Sequence, residues 1–232
     1  MLRLNEIKLP LDHPPEALSA AVVDCLGVDA SEIVRVEVFK RSYDARHKSR
    51  ILLIYQLDVE VSAALEPSLL QQFAQSSRVR PSPDTRYHYV ARAQRPIVIG
   101  FGPCGILAAL LLAQMGLKPL VLERGQAVRQ RTRDTWGLWR KRQLDTESNV
   151  QYGEGGAGTF SDGKLYSQVK DKRHLGRKVL EEFVAAGAPE EILYVSKPHI
   201  GTFKLVSMVE KLRAEIIRLG GEIRFGQKVV SL

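Results

Sequence analysis

An α/β fold, built on a parallel sheet and preceded by a small α+β domain, follows from three stretches of this 232-residue sequence. Residues 96–124 run through an apolar strand, a glycine turn, an apolar helix and a second apolar strand. Residues 153–163 hold five glycines in eleven positions. Residues 1–92 alternate short periodic segments and balance twelve Lys/Arg against twelve Asp/Glu. The domain boundary is expected at 92/93, in a connector over 76–95 that contains Pro81, Pro83 and several arginines.

In the first domain, Leu2, Leu4, Ile7 and Leu9 mark an extended, partly alternating segment. Pro14 and Pro15 then precede 16–26, where Leu18, Val22, Val23 and Leu26 recur at helical spacing and Gly27 supplies the stop. Residues 33–39 and 51–61 alternate as half-buried strands. The connection between them, 40–48, is polar and basic, either a hairpin rim that touches phosphates or a solvated turn. Tyr43 stands alone there, which falls short of a base-stacking platform. A helix is expected over 67–74 and a short strand over 87–90.

The second domain, 93–232, opens on Ile97, Val98 and Ile99, expected as a strand buried on both faces. Gly100, Gly102 and Gly105 follow in the spacing GxGxxG, with Pro103 at the helix start. In that pattern the first glycine permits the turn, the second lets a pyrophosphate reach the backbone, and the third lets helix and strand pack closely. The helix start offers free N–H groups and a positive dipole end to phosphate oxygens. Leu120, Val121 and Leu122 read as the second strand, closed by Glu123. An acid about twenty residues past the glycines accepts hydrogen bonds from a ribose hydroxyl and repels a 2′-phosphate, which disfavours NADP.

Beyond Glu123 the expectation is a helix over 126–147 with Trp136, Leu138, Trp139 and Leu144 as scattered apolar anchors. The glycine run 153–163 suits backbone lying flat against something bulky, with Thr159, Ser161, Asp162 and Lys164 as polar contacts. Helices are expected over 175–186 and from Leu205 to Leu219, where Leu205, Val209, Leu212, Ile216 and Leu219 share one face. Short strands are expected over 192–195, over 222–225 as the third parallel strand, and from 228 to the end.

Composition narrows the function classes. Two cysteines, Cys25 and Cys104, exclude a disulfide scaffold or a cysteine-rich zinc site and suit a reducing, cytoplasmic setting. No signal-peptide pattern opens the chain, and its most apolar run, 106–112, is too short to span a bilayer, so no membrane partner is expected. The formal charge of +8 arises entirely in 93–232, which carries 22 basic and 14 acidic groups. Part of that excess lies in Arg124, Arg129, Arg131, Arg133, Arg140, Lys141 and Arg142, opposed there by Asp134 alone. Such a surplus suits an anionic cofactor, an anionic substrate or nucleic acid, and a solvated helix face would carry it equally well.

The Gly100–Gly105 turn, the Glu123-Arg124-Gly125 strand end and the loop from Gly153 to Leu165 together resemble bacterial FAD-dependent dehydrogenases of uncertain substrate. So do Lys40-Arg41-Ser42 and Asp44-Ala45-Arg46 in the leading domain, and His199-Ile200-Gly201-Thr202. The resemblance implies a Rossmann-like FAD/NAD(P)-binding parallel sheet and the cofactor FAD, with its pyrophosphate over Gly100, Gly102, Pro103 and Gly105. It implies the adenosine ribose on Glu123, with Arg124 beside the adenosine. Gly153, Gly155, Gly156, Gly158, Thr159 and Ser161 would then approach the pyrophosphate or the flavin end. NAD(P)H is the candidate electron donor; the small-molecule substrate and the catalytic residues are not assigned, and His199 is the best single candidate for a proton donor, with a purely structural histidine as the alternative. Related flavoproteins continue past this point, so the sheet is expected to be incomplete here. A basic RNA-binding module and a cofactor-free interaction module on the same scaffold stand as the alternatives.

Overall fold

The computed structural model describes residues 1–47, 50–89, 94–167 and 169–231. It divides into two compact units, Met1–Thr85 with Leu193–Ser196, and Arg86–Ile192 with Lys197–Leu232. The expected boundary at 92/93 falls among residues outside the described ones.

The first unit is an antiparallel sheet with two helices. Its elements are β1 (Leu2–Pro10), α1 (Glu16–Leu26), β2 (Ile33–Asp44), β3 (Leu52–Val61), α2 (Glu66–Gln72) and β4 (Val79–Pro81). The sheet order is β2-β3-β1-β4. β3 alternates between half-buried and buried along its whole length, as a strand with one face on a core must. Leu2, Leu4, Leu57 and Val59 form that core with Val22 and Leu26 of α1. Gly27 ends α1 in the left-handed conformation at φ 66°, and its N–H donates to the Val23 carbonyl at 2.8 Å. Most of the basic 40–48 stretch belongs to β2, which reaches Asp44 before turning; Lys48 lies outside the described residues. β4 is a strand that the prolines of the connector concealed. Leu193–Ser196 joins this unit against β2: the Arg41 N–H donates to Tyr194 O at 2.6 Å, and Ser196 N–H donates to Arg41 O at 3.0 Å.

The second unit contains β5 (Ile97–Ile99), α3 (Pro103–Gln114), β6 (Leu120–Leu122), α4 (Val128–Lys141), α5 (Leu175–Ala185), α6 (Thr202–Arg218) and β7 (Glu222–Arg224). The three strands are parallel in the order β5-β6-β7. α3 and α6 cover one face, where Val98, Val121 and Ile223 meet Ile106, Leu110, Leu212 and Ile216. The mixed α/β class is therefore present, with one parallel and one antiparallel sheet.

Several sequence expectations need correcting. Ile97 and Ile99 are 62% and 52% exposed rather than buried on both faces, because among the described residues β5 ends the sheet and no helix packs on its second face. Residues 192–195 are not a strand: a 3₁₀ turn covers Glu190–Leu193, and Val195 makes a lone bridge to Arg41. Residues 228–231 form no strand, nor do 87–89; Leu232 and Val90 lie outside the described residues. α4 is shorter than expected, closing at Arg142 in the left-handed region at φ 57°.

Candidate cofactor-binding site

The turn after β5 is built around absent side chains. Gly100 sits at φ 90°, where a Cβ is disfavoured, and donates its N–H to Leu122 O at 2.8 Å. A Cβ on Gly105 would fall 2.0 Å from Gly100 O, so only glycine lets α3 come this close to β5. Gly102 is the N-cap of α3 and brings no side chain to its first turn, and Pro103 follows with no N–H of its own. The amides of Cys104 and Gly105 are thus left without a side-chain cap at the positive end of the helix.

Glu123 turns into this bend and is 4% exposed. Its Oε2 accepts the Phe101 N–H at 2.6 Å and its Oε1 accepts the Gly125 N–H at 2.8 Å. One carboxylate thereby locks the ends of β5 and β6 together. Each oxygen retains a further lone pair. Arg124 donates to Glu147 Oε2 from Nε at 2.7 Å and Nη2 at 2.6 Å, with its guanidinium 3.8 Å from the Tyr152 ring centre. Lys228 and Arg124 together hold the Glu147 carboxyl below its ordinary range.

The glycine loop lies directly on the turn. Gly155 N–H donates to Phe101 O at 2.8 Å, and Glu154 N–H to Gln126 O at 3.1 Å. A Cβ on Gly156 would stand 2.9 Å from Pro103 Cδ, and one on Gly125 would stand 2.5 Å from Gly153 Cα. Gly158 faces open space and is not required by packing. Thr159 is buried, with Oγ1 3.4 Å from Arg131 Nη1, while Ser161 braces the loop from within, donating to Gly158 O at 2.7 Å. These two hydroxyls hold the loop's shape.

Two side chains not assigned to the site from the sequence, one of them counted there only in the basic surplus, organise the loop. Arg131 is fully buried and donates to the carbonyls of Asn149, Val150 and Glu154 at 2.7–2.8 Å. Burial pushes it down to about 10, still far above neutrality, so it remains a cation. Glu154 is also fully buried; its Oε2 accepts from Val128 N–H and from Arg213 Nη1, each at 2.7 Å, while Oε1 has no partner among the described residues. Burial pushes its carboxyl up. The available signal was periodicity, since Arg131 falls on the same helical stripe as the buried Val128 and Thr135.

Two cavities flank this junction. One, of 290 Å³, is bounded by Gly100, Gly102, Glu123, Arg124, Tyr152 and Gly156. The other, of 250 Å³, is largely apolar, between α3, α6 and the glycine loop, with Thr159, Ser161 and Lys164 as its polar lining. Of the sequence-assigned residues, Gly100, Gly102, Glu123, Arg124, Gly153 and Gly156 border the first cavity, Pro103, Gly155, Gly158, Thr159 and Ser161 border only the second, and Gly105 lies behind the turn at the edge of neither. His199 is exposed, opposite Lys164 in a single bridge, and borders neither cavity. Among the described residues, no group of three or more His, Cys, Asp or Glu could hold a metal, and no helix is long and apolar enough to cross a membrane.

Residues 1–60 match a family described as a domain of unknown function (DUF8436). The whole chain is 42% identical over 235 residues to an uncharacterized protein of Clostridium beijerinckii (strain ATCC 51743 / NCIMB 8052). It spans 43% of that relative's length.

Proposed function

We propose that the second unit is a Rossmann-like dinucleotide-binding unit for FAD, and that the activity built on it is flavin-dependent oxidoreduction of a small organic substrate. The observation that carries this reading is the cradle at the end of β5. There, the uncapped helix start at Gly102 and the inward-turned Glu123 meet at one cavity edge, while Gly105, with no room for a Cβ, holds α3 against β5.

In this reading the Cys104 and Gly105 amides bind phosphate oxygens, and the spare lone pairs of Glu123 accept a ribose hydroxyl. The Arg124–Tyr152 stack walls the adenosine side, and the glycine loop lies over the turn to exclude water. Bound FAD would supply hydride chemistry, for which NAD(P)H is the candidate donor. The negative charge of Glu123 favours a free 2′-hydroxyl over a 2′-phosphate. The test is absorbance from the near-ultraviolet to the blue on purified protein, with FAD, NAD and NADP titrations. A yellow protein that prefers FAD is expected. NAD binding without flavin would retain the turn and remove the loop from the reading.

One surface favours a second reading, nucleic-acid binding. Among the described residues, Arg133, Arg140, Lys141 and Arg142 form no ion pair, and Arg140 lies 3.8 Å from the Trp136 ring centre. Trp136 and Trp139 are 42% and 58% exposed and are the chain's two tryptophans, so selectively excited tryptophan fluorescence reports on this surface. If single-stranded RNA stacks there, a short oligouridylate quenches that fluorescence at low salt and loses affinity steeply as salt rises. Unchanged fluorescence would remove this reading.

A further inference from the structure

The cavity between α3, α6 and the glycine loop is a hollow in the core of the second unit rather than a dent in its surface. Leu205, Met208, Val209 and Leu212, which recur along one face of α6, are between 3% and 7% exposed and still border its 250 Å³. Ile106 and Leu107 of α3 and Phe183 of α5 complete the apolar wall. Folded interiors keep few voids larger than a water molecule, so a hollow of this size left unfilled forfeits packing contacts on every wall. Water is a poor filling, because it needs several polar partners and the polar side chains of the lining are already engaged. Thr159 Oγ1 lies 3.4 Å from Arg131 Nη1, and Lys164 pairs with Asp162 at 3.4 Å. Ser161 Oγ donates to Gly158 O at 2.7 Å and accepts the Gly163 N–H at 3.1 Å.

We propose that this cavity is a binding site for the compact hydrocarbon group of a small molecule. Volume sets the size of the guest. A dry cavity of about 150 Å³ lined by Leu, Ile and Phe takes benzene, so 250 Å³ has room for roughly ten carbon atoms. The lining sets its chemistry. A carboxylate, phosphate or sugar among these side chains loses its water and finds no replacement partner, whereas a hydrocarbon gains contact on every side. Met208 suits such a guest, because an unbranched thioether adjusts to irregular shapes. Pro103, the first residue of α3, borders this cavity, and Gly102 immediately before it borders the other, so the hydrocarbon lies close to anything held at the turn. That the small molecule is the substrate rests on the flavin reading above; the preference for hydrocarbon does not.

The test reads isotope-labelled methionine methyl groups by NMR. The chain has three methionines, Met1, Met115 and Met208, and of these Met208 borders the cavity. Butylbenzene is titrated into the 232-residue chain, with glucose as a polar counterpart of similar size. A saturable shift of the Met208 resonance, assigned by its loss in Met208→Leu, is expected with butylbenzene. Met1 and Met115 should stay still, and glucose should move none of the three. Leu107→Phe, which fills the cavity from α3, should weaken butylbenzene binding by about tenfold or more. FAD is then added to the butylbenzene complex, and the Met208 shift is expected to persist. No Met208 shift at the solubility limit of butylbenzene overturns the proposal, as does an equal response to glucose. So does a Met208 shift that follows protein concentration alone, which would assign the cavity to a second copy. Displacement of butylbenzene by FAD would give the cavity to the flavin and overturn the proposal while keeping the flavin reading. Butylbenzene binding by a protein that ignores FAD supports the proposal and removes that reading.

Discussion

Gly105 and Glu123 set the site at the scale of single residues. Gly105 has ordinary helical backbone, so its requirement for glycine is purely steric: a methyl group would stand 2.0 Å from Gly100 O. Gly105→Ala is expected to cost about 3 kcal/mol in chemical denaturation and to abolish cofactor binding, because α3 must move away from β5. Glu123→Gln tests a different property. The carboxylate accepts two backbone N–H groups with its two oxygens, and a carboxamide would turn a donor towards one of them. A loss of about 2 kcal/mol is expected from that facing pair of donors. A variant as stable as the parent would show that the two bonds contribute little.

At the scale of elements, the junction of α4, the glycine loop and α6 hangs on Glu154. Its Oε2 takes the otherwise uncapped Val128 N–H at the start of α4 and the guanidinium of Arg213 from α6. Burial raises its carboxyl above the ordinary 4.5, opposed by the Val128 N–H, Arg213 and Arg131 and assisted by Glu210. A carboxyl whose folded value exceeds its unfolded value adds stability that is fully present below the unfolded value. That stability is lost as pH rises through the folded one. The melting temperature of the parent minus that of Glu154→Gln should therefore be largest in mild acid and shrink as pH rises above 4.5. A difference that grows with pH would mean that the Arg213 ion pair dominates. Arg131→Met should act more strongly and without pH dependence near neutrality, costing about 3 kcal/mol by leaving three buried carbonyls unpaired.

For the whole molecule, the two units have separate cores, yet the first is not a contiguous piece of chain. Leu193–Ser196 supplies two backbone hydrogen bonds to Arg41 on β2, and the Tyr194 ring lies 5.3 Å from the Arg41 guanidinium. A polypeptide of residues 1–85 should fold with its β2 edge open at Arg41. It is expected to be about 2 kcal/mol less stable than the same unit in the whole chain, measured by hydrogen exchange on β2 and β3. Addition of a peptide spanning 190–198 should restore part of that protection. No change on truncation would show that the segment adds nothing to this sheet.

The sequence by itself determined most of the elements and the identity of the turn. Periodicity placed α1 over Glu16–Leu26, and the GxGxxG spacing placed Gly100, Gly102 and Gly105 around one bend with Glu123 facing it. Both are short-range properties, fixed by side-chain spacing and by backbone angles only glycine tolerates. Tertiary structure alone decided that Arg131 and Glu154 are buried, that Leu193–Ser196 belongs with the first unit, and that Ile97 and Ile99 face outward. Each depends on which segments come to lie beside one another across long separations. A charged residue on an apolar stripe, or an apolar residue on an end strand, reads the same in sequence whether or not a partner arrives to cover it.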